Sequence, residues 1–199
     1  MKYAGDLESS LSGILLGDVW HRKTLEALHD FAPFAWITGG FVRNAIWDAV
    51  FDKGGFCTPA DVDVIYLDHQ RSLQLAEKGL EEALRRNSKD ILWSVKDQSR
   101  MHMRGDDPPY RSLDQALRAF PDRSSAIAVR LPANRKLEIL APFGLEDAFR
   151  GIVRPTPIGR SDIRYQRFLD RKLDGWRNRW PRLLVASAVS GKGHSRKAA

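Results

Sequence analysis

What the chain lacks sets the first limits. Of 199 residues only Cys57 is a cysteine, so no intrachain disulfide can form. That fits a reducing cytoplasm. Histidine and cysteine nowhere recur at a spacing that would hold zinc. Charges interrupt every apolar stretch well before membrane-spanning length. Met1 to Glu8 contain no basic segment followed by an apolar run, so no secretion signal is read there and a cytoplasmic protein is expected. No internal repeat is visible, and residues 186–199, which include the basic run Gly191 to Lys197, read as a disordered tail.

What remains is a globular composition. At 43% apolar the chain can bury a core, and its length suits one domain over 1–185, with a core over 34–150 and a helical C-terminal part over 160–182. The net charge of +7 favours partners that carry phosphate.

The periodicity predicts two short helices between Leu7 and Phe31, with Leu11, Ile14, Leu15, Trp20, Leu25 and Leu28 at helical spacing. Phe34 to Thr38 reads as a strand broken by Gly39-Gly40, and a helix follows with Val42, Ile46, Trp47 and Val50 on one face. After a loop at Lys53 to Thr58, Asp61 to Leu67 is a second strand. An amphipathic helix over 71–86, a strand over Ile91 to Val95, a loop at Gly105 to Pro109 and a helix capped by Ser112 come next. Ala126 to Leu131 and Leu137 to Ala141 flank a turn and read as a hairpin. Gly144 to Phe149 starts another helical turn, and Tyr165 to Trp180 is a basic, aromatic helix. Interleaved strands and helices with one hairpin predict an α/β fold, a mixed sheet of about five strands flanked by helices.

Asp61 and Asp63 stand one residue apart in Pro59-Ala60-Asp61-Val62-Asp63-Val64-Ile65-Tyr66. On a strand both carboxylates project from one face. Adjacent like charges need a cation between them, and Mg²⁺ is the natural occupant. Upstream, strand, Gly39-Gly40 and helix form a layout for phosphate: glycine lets backbone N–H groups approach an anion, and the helix start adds a positive end. Arg43, one turn in, is placed to reach the same anion or to pair with a carboxylate. The alternative is a plain tight turn followed by a solvated strand end. Glu138 is a single acid in the apolar run Leu137 to Ala141. It is expected either to join the metal or to face solvent on an edge strand or pair with an arginine. With Glu138 included, three carboxylates beside a glycine turn suit two-metal phosphoryl chemistry.

Gly39-Gly40-Phe41-Val42-Arg43-Asn44 and Asp61-Val62-Asp63-Val64 together resemble the Gly-Gly-x-Val-Arg-Asp and Asp-x-Asp motifs of the polymerase-beta-like nucleotidyltransferase superfamily, notably the head domain of CCA-adding tRNA enzymes. The likeness extends to a bacterial nucleotidyltransferase family that carries Val-Lys-Asn-Gln-Ala-Arg-Met-His, here Val95 to His102. That family also has Ala-Pro-Phe-Gly-Leu, here Ala141 to Leu145, and Arg-Pro-x-Pro, here Arg154 to Pro157. The resemblance runs from about Phe34 to Pro181. The chain departs from it in Asp97, where the family has Asn, in a longer gap from Gly40 to Asp61, and in lacking the Arg-Arg-Asp-Phe-Thr segment. Glu146-Asp147-Ala148-Phe149-Arg150 matches the base-selecting Glu-Asp-x-x-Arg of CCA-adding enzymes, but without their neck helices, and is read as chance.

The resemblance implies transfer of a nucleoside monophosphate from an NTP to an acceptor hydroxyl, with Mg²⁺ or Mn²⁺ and release of pyrophosphate. It implies metal binding and catalysis by Asp61, Asp63 and Glu138, and nucleotide binding by Gly39, Gly40, Arg43, Lys96 and Arg100. Lys96, Gln98, Arg100 and His102 are expected to alternate along an extended segment. The acceptor is open among RNA, protein and small molecules. A non-catalytic nucleotide- or RNA-binding module and a toxin-type tRNA- or protein-modifying enzyme are the alternatives. Arg160, Arg164, Arg167, Arg171, Lys172, Arg177, Arg179 and Arg182, with Tyr165, Phe168, Trp176 and Trp180, form either a nucleic-acid face or, with the aromatic residues packed on the core, the solvated side of a helix.

Overall fold

The computed structural model describes residue 3 and residues 5–69, 76–104, 107–157 and 162–186. Capping aspartates set the first two helices. Asp6 accepts the Glu8 and Ser9 amides at 3.0 and 3.2 Å and starts α1 (Leu7–Gly17). Asp18 accepts the His21 amide at 3.0 Å and starts α2 (Val19–Phe31). Each carboxylate satisfies amides that the first helical turn leaves without partners. Leu11, Ile14, Leu15, Leu25 and Leu28 are buried, as their spacing predicts.

β1 (Trp36–Thr38) leads directly into α3 (Gly40–Val50), and a loop returns the chain to β2 (Val62–Tyr66). Then come α4 (Ala76–Asn87), β3 (Trp93–Asp97), a 3-10 turn at Met101–Arg104 and α5 (Leu113–Arg118). Ser112 caps α5 through the Gln115 amide at 3.2 Å. The hairpin follows as β4 (Ala128–Arg130) and β5 (Glu138–Leu140), then α6 (Glu146–Phe149), β6 (Ile152–Val153), α7 (Asp162–Arg179) and β7 (Leu184–Val185).

Five strands form one sheet in the order β3-β2-β1-β4-β5. β1 runs antiparallel to β2 and β4, β5 antiparallel to β4, and β3 parallel to β2. The mixed five-stranded α/β sheet expected from the sequence is the one that forms. β6 and β7 make a separate parallel pair of two residues each, too short to leave a periodic signal. β3 starts and ends two residues beyond the predicted strand, because Trp93 to Asp97 pair in register with Val62 to Tyr66 while Ile91 closes a turn onto Ser88. The first residues of the predicted 71–86 helix (71–75), Gly105 and Asp106 of the predicted loop, Arg160, and 187–199 of the predicted tail lie outside the described residues.

Register divides the sheet into two faces. Ile37, Val64, Val95, Val129 and Ile139 align in one row and pack into the main core with Leu15, Leu28, Ile46 and Trp47. On the opposite face Ser94, Asp63, Thr38, Ala128 and Leu140 form one row; Lys96, Ile65, Trp36, Arg130 and Glu138 form the next. Leu117 of α5 packs there against Ile65 and Ala128. The edge strand β3 is closed by α4: Glu81 accepts the Val95 amide at 2.8 Å and Glu77 the Asp97 amide at 2.7 Å. Unpaired amides on an open edge would otherwise invite another strand. Among the described residues no helix is long and apolar enough to cross a membrane.

Candidate active site

The site begins where β1 turns into α3. Gly39 sits at φ 66° and ψ −126°, a conformation that disfavours any side chain, and Gly40 opens the helix. Thr38 is paired with Asp63 across the strands, which brings the turn against the second aspartate. A Cβ on Gly39 would lie 2.9 Å from Asp63 Oδ2. Asp61, just before β2, is exposed, and Asp63 is half-buried. Both line a cavity of about 320 Å³ together with Gly39, Gly40 and Arg43. The structure therefore gathers the glycine turn and the aspartate pair into one site.

Burial first, then the neighbouring Asp61 carboxylate, push the Asp63 carboxyl above its ordinary value. A hydrogen bond from Ser94 and the charges of Arg43 and Lys172 oppose that shift. A half-buried carboxylate strained by its neighbour is a donor set that gains from a cation. Mg²⁺ is commonly bound by one or two carboxylates plus substrate phosphates, and Asp61 with Asp63 fits that pattern.

Arg43 lines the cavity but is held in place. Its Nη1 donates to Ser125 Oγ at 2.6 Å and its Nη2 to Asn44 Oδ1 at 3.0 Å. The guanidinium carbon lies 4.3 Å from the centre of the Trp176 ring and 5.2 Å from that of Trp47. Burial lowers its pKa to about 10, against the opposing pull of Asp122 and Asp63, so it stays protonated at neutral pH. Asp122 is fully buried and accepts from Ser124 Oγ at 2.5 Å and from the Ser125 amide at 3.0 Å, which fixes the serine that Arg43 grips.

Glu138 does not join the site. It lies on β5, and β1 and β4 stand between it and β2. Three strand spacings of about 4.8 Å put it about 14 Å away. Its Oε2 accepts from Arg130 Nε at 2.6 Å, its side chain is 42% exposed, and Arg130 stacks on Trp36 at 4.6 Å. The expectation of a third metal carboxylate here is corrected: the acid pairs with an arginine on an edge strand. Among the described residues no three His, Cys, Asp or Glu side chains come together to hold a metal.

Lys96 and Arg100 do not line the cavity either. Lys96 lies 3.7 Å from Glu81, and Arg100 2.7 Å from Glu77, both on α4. The extended row expected through His102 is not extended, because β3 ends at Asp97 and a turn and a 3-10 segment follow. Asp97 organises that turn, accepting the Asp68 and Ser99 amides at 3.1 and 2.9 Å. Asp147, in the segment resembling a base-selecting motif, is engaged by Arg154 at 2.9 Å and Arg123 at 3.9 Å.

The C-terminal helix supplies part of the site that the motifs did not point to. Phe168, Lys172 and Trp176 of α7 line the cavity, joined by Phe120 and Pro121 ahead of β4. Tyr165, Phe168, Leu169, Trp176 and Trp180 are buried, while Arg167, Arg171 and Arg177 are exposed. These aromatic residues are therefore core, while Arg167, Arg171 and Arg177 face solvent. The sequence carries no separate signal for Lys172, which reads there as one basic residue of several on α7.

No curated protein matches the chain. Among solved structures the chain is similar to a protein whose NMR structure reveals a CCA-adding enzyme head domain, at 29% identity and a TM-score of 0.77, with 90% of this chain aligned to 95% of that one. A CCA-adding enzyme in complex with CTP aligns at 14% identity and a TM-score of 0.55, over 90% of this chain and 43% of that one. The apo form I of a CCA-adding enzyme aligns at 13% and 0.52, over 89% and 42%. The chain spans less than half the length of those two enzymes, and the likeness to them is one of fold. A family model described as nucleotidyltransferase matches residues 28–185, most of the chain and all of the site, and the protein belongs to that family.

Proposed function

We propose that the protein transfers a nucleoside monophosphate from an NTP to an acceptor hydroxyl, with Mg²⁺ or Mn²⁺ bound at Asp61 and Asp63, and releases pyrophosphate. The observation that carries this reading is the contact between the glycine turn and the acid. With no side chain at position 39, phosphate and metal-binding carboxylate can share one small cavity. The first turn of α3 leaves amides without intrahelical partners, and its positive end favours an anion. When bound, the cation would neutralise the triphosphate and stabilise the charge that develops as pyrophosphate leaves. Asp61 and Asp63 would orient it, and the fixed Arg43 guanidinium would add positive charge to the cavity wall. The CTP bound by a CCA-adding enzyme of similar fold supports a nucleotide as the ligand.

A second reading, a nucleotide-binding module without turnover, is favoured by one observation: Glu138 stands away from the two aspartates. Incubation with each labelled NTP, Mg²⁺ or Mn²⁺ and total cellular RNA and protein decides between them. Labelling of one fraction with pyrophosphate release supports transfer; tight NTP binding without release supports the module. The double variant Asp61→Asn, Asp63→Asn is expected to fold and to transfer nothing. Undiminished transfer by that variant would refute the assignment.

A further inference from the structure

Tyr165, Phe168, Leu169 and Trp176 make the buried face of α7, and Trp180, just past its end, is buried too. At 3.6 residues per turn that face includes position 172, four residues from both Phe168 and Trp176. An apolar residue is the rule at such a place, and this chain has a lysine. The reason is what lies beneath it. Lys172 stands over the cavity that holds Gly39, Gly40, Asp61 and Asp63.

Among the described residues two cationic side chains line the cavity, and they differ in freedom. Arg43 is committed to Ser125 and Asn44 and lies against the rings of Trp47 and Trp176, so gripping a ligand would break contacts already made. Lys172 is exposed and makes no hydrogen bond or ion pair among the described residues. Its ammonium is a compact point charge with three donors on a flexible stem, well suited to phosphate oxygens. Its charge already acts on Asp63, lowering that carboxyl's affinity for a proton.

We propose that Lys172 is the cation that grips the polyphosphate chain of the nucleotide, which makes α7 one wall of the nucleotide site and leaves Arg43 as its fixed floor. The inference rests on the nucleotidyl-transfer reading.

Binding of inorganic tripolyphosphate, of ATP, CTP, GTP and UTP, and of AMP, each with Mg²⁺, tests it by calorimetry on wild type, K172Q, K172R and R177Q. R177Q changes an exposed arginine of the same helix that does not line the cavity. K172Q is expected to weaken tripolyphosphate and the preferred NTP by about tenfold, the loss of one charge-assisted contact. AMP should stay within about twofold of wild type, K172R should retain most of the affinity, and R177Q should match wild type. Melting curves confirm that each variant is folded. Tripolyphosphate bound by K172Q as tightly as by wild type would overturn the proposal, as would equal losses for AMP and NTP. Wild-type protein that bound no NTP at all would instead overturn the nucleotidyl-transfer reading, so the two failures are distinct.

Discussion

Asp48 of α3 and Arg179 of α7, 131 residues apart, form a two-pronged pair: Arg179 Nε donates to Oδ1 at 2.9 Å and Nη2 to Oδ2 at 3.0 Å. Trp180 Nε1 also donates to Oδ1, at 2.8 Å, and the Cys57 amide to Oδ2, at 2.6 Å. One carboxylate, its side chain 1% exposed, thus fastens α7 and the loop before β2 to α3. All three segments line the candidate active-site cavity, through Trp176, Pro59 and Arg43. Asp48→Ala strands these donors, and Arg179→Met leaves the buried carboxylate without its cation. Either is expected to cost about 3 kcal/mol in urea unfolding, the scale for breaking a buried pair by removing one partner. A cost below about 1 kcal/mol would mark the pair as no more than a surface contact.

Gly39 and Gly40 should respond differently to the same change. Gly39→Ala puts a side chain at φ 66° and a Cβ 2.9 Å from Asp63 Oδ2. The strain is about 1–3 kcal/mol, and the displaced carboxylate should lower turnover about a hundredfold or more. Gly40→Ala would meet Pro59 Cβ at 3.4 Å, which a small shift relieves. Nucleotide-transfer rates and urea midpoints of the two variants check the ranking. Equal effects would mean that the turn is not built around Asp63.

The sequence made half of this site legible because that half is local. Gly39-Gly40 and Asp61-Val62-Asp63 are short motifs on a strand end and on its neighbour, and strand periodicity alone puts both carboxylates on one face. Glu138 was misplaced for a different reason. Its apolar flanks identify a strand but say nothing of strand order, and the order β3-β2-β1-β4-β5 sets it at the far edge. Lys96 and Arg100 were read as an extended row because the end of β3 at Asp97 depends on a side chain, with Asp97 holding the Asp68 and Ser99 amides. Lys172, Asp48 and Asp122 reach the site or its supports by tertiary contact across the chain. No spacing rule announces such contacts, and in the sequence Lys172 reads only as one of several basic residues on a helix.

Asp63 makes stability depend on pH with a definite sign. Burial and Asp61 raise its folded pKa above the ordinary value of 3.8. The native state therefore binds more protons than the unfolded chain over a window that opens near 3.8 and extends to the raised folded value. Within that window stability falls as pH rises. Asp63→Asn removes this contribution. In metal-free buffer the variant should gain on wild type from about pH 4 upward and be the more stable at about pH 7, by urea unfolding. Added Mg²⁺ should stabilise wild type and not the variant, since only a native state that binds the ion gains from it. A wild type that gained stability over Asp63→Asn as pH rose would contradict the strained-carboxylate account.

Glu138→Gln separates the sheet order found here from the three-carboxylate arrangement expected from the resemblance. The pair with Arg130 is partly exposed, at 32% and 42% for the two side chains, so its loss should cost less than about 1 kcal/mol. Arg130→Ala should cost more, because it also removes the stack on Trp36 at 4.6 Å and the packing of the arginine stem. Nucleotide transfer by Glu138→Gln should stay within about twofold of wild type, since an uncharged side chain about 14 Å from Asp63 changes neither metal binding nor the cavity. A folded variant with no transfer would return Glu138 to the metal set. That outcome would require β5 to approach β2 past both β1 and β4, a different strand order from the one in which Arg130 and Glu138 pair across β4 and β5.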